Sequence, residues 1–149
     1  MDISICSFSE LDKLTLYEIL ASRMEVFVVE QNCIYQDVDG KDIDAFHLIC
    51  RDEGRMVGYL RILRPGATFE EASIGRVLVK DRGKGIATEM IRRAIGFITD
   101  VLHEDVIRIE SQSYVCGLYE KLGFVKVGGE FLDAGIPHIQ MVYRRSDEE

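Results

Sequence analysis

Apolar and polar positions change period several times along the chain, and each change marks an element. Residues 3 to 8 predict a first strand. The stretch "LDKLTLYEILASRMEVFVVEQ" then places Leu14, Tyr17, Ile19, Leu20, Met24, Phe27 and Val28 close to helical spacing. One helix is expected from about Lys13 to Val29, loosened at its end by β-branched residues. The polar, turn-rich "QDVDGKDID" that follows reads as a loop. From "AFHLICRDEGRMVGYLRILRP" the alternation predicts a hairpin, with strands at Ala45 to Arg51 and Met56 to Leu63, a turn at Glu53 and Gly54, and a stop at Pro65.

A third strand, "ASIGRVLVK", runs into the glycine-bearing segment "VKDRGKGIATEM". A helix from about Gly85 to Leu102 comes next, its apolar face made by Ile86, Met90, Ile91, Ala94, Ile95 and Ile98. Beyond it stand a strand "VIRIES", a short helix "YVCGLYEKLGF", and two strands "VKVGGEFL" and "HIQMVYR" joined by the turn "DAGIP". Nothing repeats and no linker divides the chain, so the pattern predicts one mixed α/β domain over residues 1–149 with antiparallel hairpins at both ends.

The 149 residues suffice for a core without staples, and the apolar share of 47% with 30% charged residues is that of an ordinary globular chain. The formal net charge of -8 argues against a nucleic-acid surface. The N-terminus has no basic, then apolar, secretory pattern and no stretch approaches a membrane span, so a cytoplasmic protein without membrane attachment is expected. Four cysteines, Cys6, Cys33, Cys50 and Cys116, stand far apart without a C-x-x-C pair, which predicts buried reduced thiols and no zinc site. Asp37, Asp39 and Gly40 resemble part of a calcium loop, but its sixth and twelfth positions hold Asp42 and Leu48. A solvated acidic loop is expected there, or carboxylates that attract a cationic amine.

The basic loop stands out against that acidic background. Strand, Arg82-Gly83-Lys84-Gly85, then helix is a recipe for an anion site. The helix N-terminus offers unpaired amides, the glycines open close approach, and Arg82 and Lys84 add charge. The ligand should carry phosphate. A Walker A loop fails because Gly85 follows Lys84 and Leu78 holds the first glycine position. The dinucleotide fingerprint fails at Thr88.

"RGKGIA", Arg82 to Ala87, resembles the R/Q-x-x-G-x-G/A signature of the GNAT (Gcn5-related) N-acetyltransferases, and "LYEKLGF", Leu118 to Phe124, is similar to that family's closing motif. "MEVFVVEQNCIYQDVDGKD", "IGRVLV" and "GIPHIQM" resemble its ElaA-like branch. The resemblance implies a central mixed, mostly antiparallel sheet of about six to seven strands flanked by helices, and acetyl transfer from acetyl-CoA to a primary amine. The strand before the loop would splay from its neighbour and bond the pantetheine arm through Val77 or Val79. Val77 stands five and Val79 three positions before Arg82, where about five is usual.

The resemblance also gives the amides of Gly83, Lys84, Gly85, Ile86, Ala87 and Thr88 the pyrophosphate, Gln112 a cofactor contact, and Tyr119 the role of general acid. For the general base it leaves His138, from "GIPHI", then His47, with Glu110, Glu25, Glu30 or a water relay behind them. No covalent nucleophile is required. The acceptor could be a metabolite amine, an aminoglycoside-like compound, a peptide N-terminus or a lysine side chain, and a homodimer is compatible with the reading. The rivals are a non-catalytic acyl-CoA-binding or sensor domain and a nucleotide-binding fold with a chance loop.

Overall fold

A computed structural model describes residues 1–146. Strand β1 (Asp2–Ser7) leads through a short 3-10 turn into helix α1 (Lys13–Arg23), whose first turn is capped by the Asp12 carboxylate accepting from Thr15 N–H at 2.7 Å. The helix does not continue to Val29 in α form. It widens at Met24–Glu30 into π-type turns, through "MEVFVVE", where β-branched side chains crowd an ordinary helical turn. Its buried face also differs from the expected apolar stripe. Leu14 and Tyr17 are largely exposed, whereas Ile19, Ser22, Arg23 and Val26 are buried. A charged arginine takes a core position because partners from distant segments meet it there.

Strands β2 (Phe46–Asp52) and β3 (Arg55–Leu63) form the expected hairpin, turning at Glu53 and Gly54 with φ of 53° and 79°. With β1 and β4 (Ser73–Val79) they make an antiparallel sheet in the order β1-β2-β3-β4. Helix α2 (Ile86–Asp100) packs across it, and burial of Ile86, Met90, Ile91, Ile95 and Ile98 contributes about 1.5–3 kcal/mol per side chain. β3 approaches this helix closely at Gly58, where a Cβ would lie 2.6 Å from the Met90 sulfur.

A second sheet, β5-β7-β6, is built from β5 (Val106–Gln112), β6 (Val125–Asp133) and β7 (Ile136–Arg144), with the short helix α3 (Cys116–Glu120) between β5 and β6. The two sheets touch through one parallel bridge, Ala72 with Ile107, reinforced by Arg108 N–H to the Ala72 carbonyl at 2.9 Å. Beyond this bridge β4 and β5 part. The result is a mixed, mostly antiparallel seven-stranded architecture with helices on its flanks. Cys33, Cys50 and Cys116 are buried, Cys6 is half-buried, and all four are free thiols. Among the described residues no helix is long and apolar enough to cross a membrane.

Candidate functional site

A bulge gives the parting strands their shape. Arg61 pairs with Gly75 and Tyr59 with Leu78, so β4 spends three steps where β3 spends two. The extra residue falls at Arg76, whose φ of 53° is unusual for a side-chain-bearing residue and bends the strand. Past the bulge, Gly58 faces Val79 and Lys80 N–H donates to the Val57 carbonyl at 2.8 Å. That pattern makes Gly58–Val79 a non-hydrogen-bonded pair. The Val79 N–H and carbonyl are therefore turned off β3 toward the open edge, where an extended ligand could pair with them.

The loop after β4 brings the chain to the start of α2. Gly83 and Gly85 have φ of 85° and 74°, and nothing lies within 4 Å of where a Cβ would stand on either. The first helical bond runs from Glu89 N–H to the Gly85 carbonyl at 3.2 Å, so the amides of Ile86, Ala87 and Thr88 precede the hydrogen-bonded turn. They border a recess of ≈ 230 Å³ with Val79, Arg82 and Gly83. Arg82 and Lys84 are exposed there, the latter 2.8 Å from Asp81. Free amides, positive charge and glycines without Cβ atoms fit a pyrophosphate. Among the described residues no group of acidic, His or Cys side chains is placed to hold a metal ion.

The recess opens along Val79, Arg82 and Ala87 into a cleft of ≈ 530 Å³ between the splayed strands. Tyr119 lines this cleft from α3. Its ring packs edge-to-face on Phe124 at 5.5 Å, while its hydroxyl has no hydrogen-bond partner among the described residues. Burial pushes its pKa up, and nearby Cys116 adds to the effect, so the phenol stays protonated at neutral pH. On β5 and β7, Gln112 stands opposite His138, and Glu110 opposite Gln140. Gln112 donates to the Gln31 side chain at 3.2 Å, and Gln140 donates to Glu110 at 3.3 Å. The His138 Nδ1 lies 2.7 Å from the Ile136 carbonyl, which can only accept. Nδ1 therefore carries the proton and, in the neutral ring, Nε2 keeps its lone pair.

The structure does not bring His47 to the cleft. It is fully buried, with Nδ1 2.7 Å from the Tyr59 hydroxyl and Nε2 2.9 Å from the Asp42 carbonyl, and burial lowers its pKa. Glu25 and Glu30 are also outside it. Both are exposed on the π-type turns, where Glu30 approaches Arg82 at 3.6 Å. Val77 and Val79 both border the cleft, and so do Gln112, Glu110 and His138.

The segment from Asp37 to Asp44 corrects the solvated-loop expectation most sharply. Arg23 Nε meets Asp37 at 2.9 Å and its Nη1 meets Asp42 at 2.6 Å, all three side chains being buried. Arg61 binds Asp39 at 2.8 Å and Asp42 at 3.1 Å, and Arg76 Nε stands 2.8 Å from Asp37. Tyr35 donates to Asp37 at 2.8 Å. Burial alone would raise Asp39, but hydrogen bonds from Arg61 and the Lys41 amide hold its pKa down at about 2. Three arginines and three aspartates thus neutralise one another beneath the cleft, tying its wall to α1. Sequence reasoning missed Arg23, Arg61 and Arg76. The only signal for them was basic residues inside otherwise apolar runs.

Set against known proteins, residues 12–145 match the family model "Acetyltransferase (GNAT) domain". A UPF0039 protein of Synechocystis is 36% identical over 140 residues, covering 92% of this chain and 91% of that one. Protein ElaA of Escherichia coli is 35% identical over 137 residues, 89% of this chain and 90% of its own. Among solved structures, an acyl-CoA N-acyltransferase from Pseudomonas aeruginosa superposes with a TM-score of 0.89 at 33% identity, covering 96% of this chain and 99% of that one. Escherichia coli ElaA gives the same TM-score at 32% identity over 97% and 100% of the two chains.

Proposed function

Because the chain belongs to the GNAT acetyltransferase family, we propose that it moves an acetyl group from acetyl-CoA to a primary amine by direct attack. Acyl transfer is the family's chemistry; the acetyl donor and the amine acceptor are our reading for this chain. The observation that carries it is continuity. The free amides at the start of α2, the unpaired edge at Val79 and the unpartnered Tyr119 hydroxyl border connected space.

In this reading the amides of Ile86, Ala87 and Thr88 hold the pyrophosphate, with charge from Arg82 and Lys84. The pantetheine arm runs along β4 as an added strand, bonding Val79, so the shorter spacing to Arg82 reflects a tighter loop. The amine nitrogen, having lost its proton, attacks the thioester carbonyl, a C–N bond forms and the C–S bond breaks. The thiolate leaves as CoA-SH with a proton from Tyr119, and the second proton, which the attacking nitrogen sheds as the amide forms, passes to solvent, which reprotonates Tyr119. The proton released by the substrate ammonium goes to His138 Nε2, directly or through water, and then to solvent.

Phenylalanine in place of Tyr119 keeps the packing on Phe124 and removes the acid. Tyr119→Phe should lower kcat for thiol release by about 10²-fold while leaving the KM for acetyl-CoA unchanged. Acetyl-CoA should raise the Tm of both proteins. Stabilisation without thiol release from any amine would leave an acyl-CoA sensor, and absence of stabilisation would defeat the reading altogether.

A further inference from the structure

The two walls of the cleft carry opposite charge at one height. The bridge sets Ala72 level with Ile107, and the two strands climb from it in parallel. Glu110 lies three residues farther along β5. Arg76 lies four farther along β4, where the bulge absorbs one. At ~3.3 Å per residue, both stand about 10 Å above the bridge. They also share a face. Ile107, Ile109 and Ser111, which alternate with Glu110 and Gln112, are buried, and the two isoleucines pack with α2. Gln112 reaches Gln31, and Arg76 meets Asp37 and Asp39, all on the segment that covers the other face.

Each wall has unspent charge. Arg76 Nη2 donates to the Asp37 carbonyl at 3.1 Å and to Asp39 at 3.3 Å. Its Nε is close enough to Asp37 for an ion pair yet too poorly aligned for a hydrogen bond, and its Nη1, on a guanidinium lying over the Tyr35 ring at 5.5 Å, has no hydrogen-bond or ion-pair partner among the described residues. Lys41 also lines the cleft, and its ammonium bonds only the Thr68 hydroxyl, at 2.6 Å, with no carboxylate partner among the described residues. The three arginines are already matched by three aspartates, so Lys41 is a surplus cation on this wall. Across the cleft Glu110 receives only the Gln140 amide and has no cation among the described residues, because Arg108 is engaged by Glu71 at 3.1 Å. His138 Nε2 is open on the same wall.

We propose that the acceptor is a small amino acid whose carboxylate is held by Arg76 Nη1 and Lys41 while Glu110 draws its ammonium toward His138 and Tyr119. This rests on the acetyl-transfer reading above and narrows it. Size points the same way. The ≈ 530 Å³ cleft must also admit the pantetheine arm, which leaves room for a small molecule and little for a folded protein's surface lysine. The product is an N-acetyl amino acid. The carboxylate takes no part in the bond changes, so it contributes through orientation and binding.

The test is thiol release by the full chain with acetyl-CoA and matched acceptors: α-amino acids, β-alanine and 4-aminobutyrate, their carboxamides, and n-alkylamines. At least one acid should exceed its carboxamide by about tenfold or more in kcat/KM, chiefly through KM. Arg76→Gln should erase that preference. Lys41→Gln, outside the ion-pair network, should weaken it even if Arg76 variants fail to fold. As a readout apart from turnover, calorimetric titration of the preferred acid into CoA-saturated protein should show its affinity reduced about tenfold by either variant, with CoA affinity unchanged. Carboxamides or alkylamines turned over as well as the acids would overturn the inference and leave acetyl transfer standing. Turnover of no acid would overturn it too. Failure of acetyl-CoA to bind would remove both.

Discussion

Gly58 sets how deeply α2 sits on β3, and one methyl group tests that. In a strand interior alanine is normally better than glycine by about 0.5–1 kcal/mol, so without a steric conflict Gly58→Ala would raise stability. Here the added Cβ would lie 2.6 Å from the Met90 sulfur and 3.3 Å from Ile86 Cγ2, and both side chains are buried. Overpacking of this kind costs about 1–3 kcal/mol, which leaves a net loss of up to about 2.5 kcal/mol. At about 2–4 °C per kcal/mol for a chain near this length, the Tm should fall by up to about 10 °C. Ile86 is the first residue of α2, so relief of the clash moves the amides at the helix start. Acetyl-CoA affinity should drop roughly two- to tenfold. Calorimetric scans and acetyl-CoA titrations check the two effects, and Met90→Ala should cost less in the Gly58→Ala background than in the wild type. A rise in Tm with unchanged acetyl-CoA affinity would refute the reasoning.

Removing the buried guanidinium with Arg23→Met leaves three aspartates facing only Arg61 and Arg76, one buried negative charge uncompensated, and a urea titration should show a loss of about 3–5 kcal/mol. Gly85→Ala forces a side chain onto φ of 74° and adds a methyl group to the lining of the recess at the helix start, so stability should fall by about 1–2 kcal/mol, seen as a lower Tm. Acetyl-CoA affinity measured on the same variant should fall by about tenfold or more. Burial holds His47 neutral in the fold, with its pKa below the unfolded value of about 6.5. Above that pH neither state binds the proton. As pH falls through it the unfolded chain takes up a proton that the fold refuses, so stability should decline by up to about 1.4 kcal/mol per pH unit. His47→Gln should flatten that slope in melts from pH 7.5 to 5.

What could be read from the sequence was what depends on neighbours along the chain. The apolar face of α2, the Glu53-Gly54 hairpin and the glycines before Ile86 are each set by local periodicity or by a required positive φ. The recess at the start of α2 was visible for the same reason, since free amides at a helix start need no distant partner. The α1 stripe misled, because Leu14 and Tyr17 follow helical spacing and yet face solvent, while Arg23 is buried. Burying a charge is favourable only when its counter-charges arrive, and Arg23 finds them 14 and 19 residues away, with Arg61 and Arg76 from two further strands. Helical spacing carries no trace of that encounter.

The same limit applied to the proposed base and to the proposed cofactor edge. His47 and His138 look alike in sequence. Only the antiparallel register and the packing around Tyr59 put one in the core and the other opposite Gln112 beside the cleft. Val77 and Val79 could not be separated until the bulge at Arg76 shifted the β3–β4 register and turned the Val79 backbone to the open edge. By itself, then, the sequence determined the strands, the helix and the glycine-bearing turn at the start of α2, all short-range consequences of side-chain pattern and backbone freedom. The tertiary structure alone decided which charges are neutralised along the cleft wall and which remain unpaired there, because that depends on strand register and on desolvation by segments far apart in the chain.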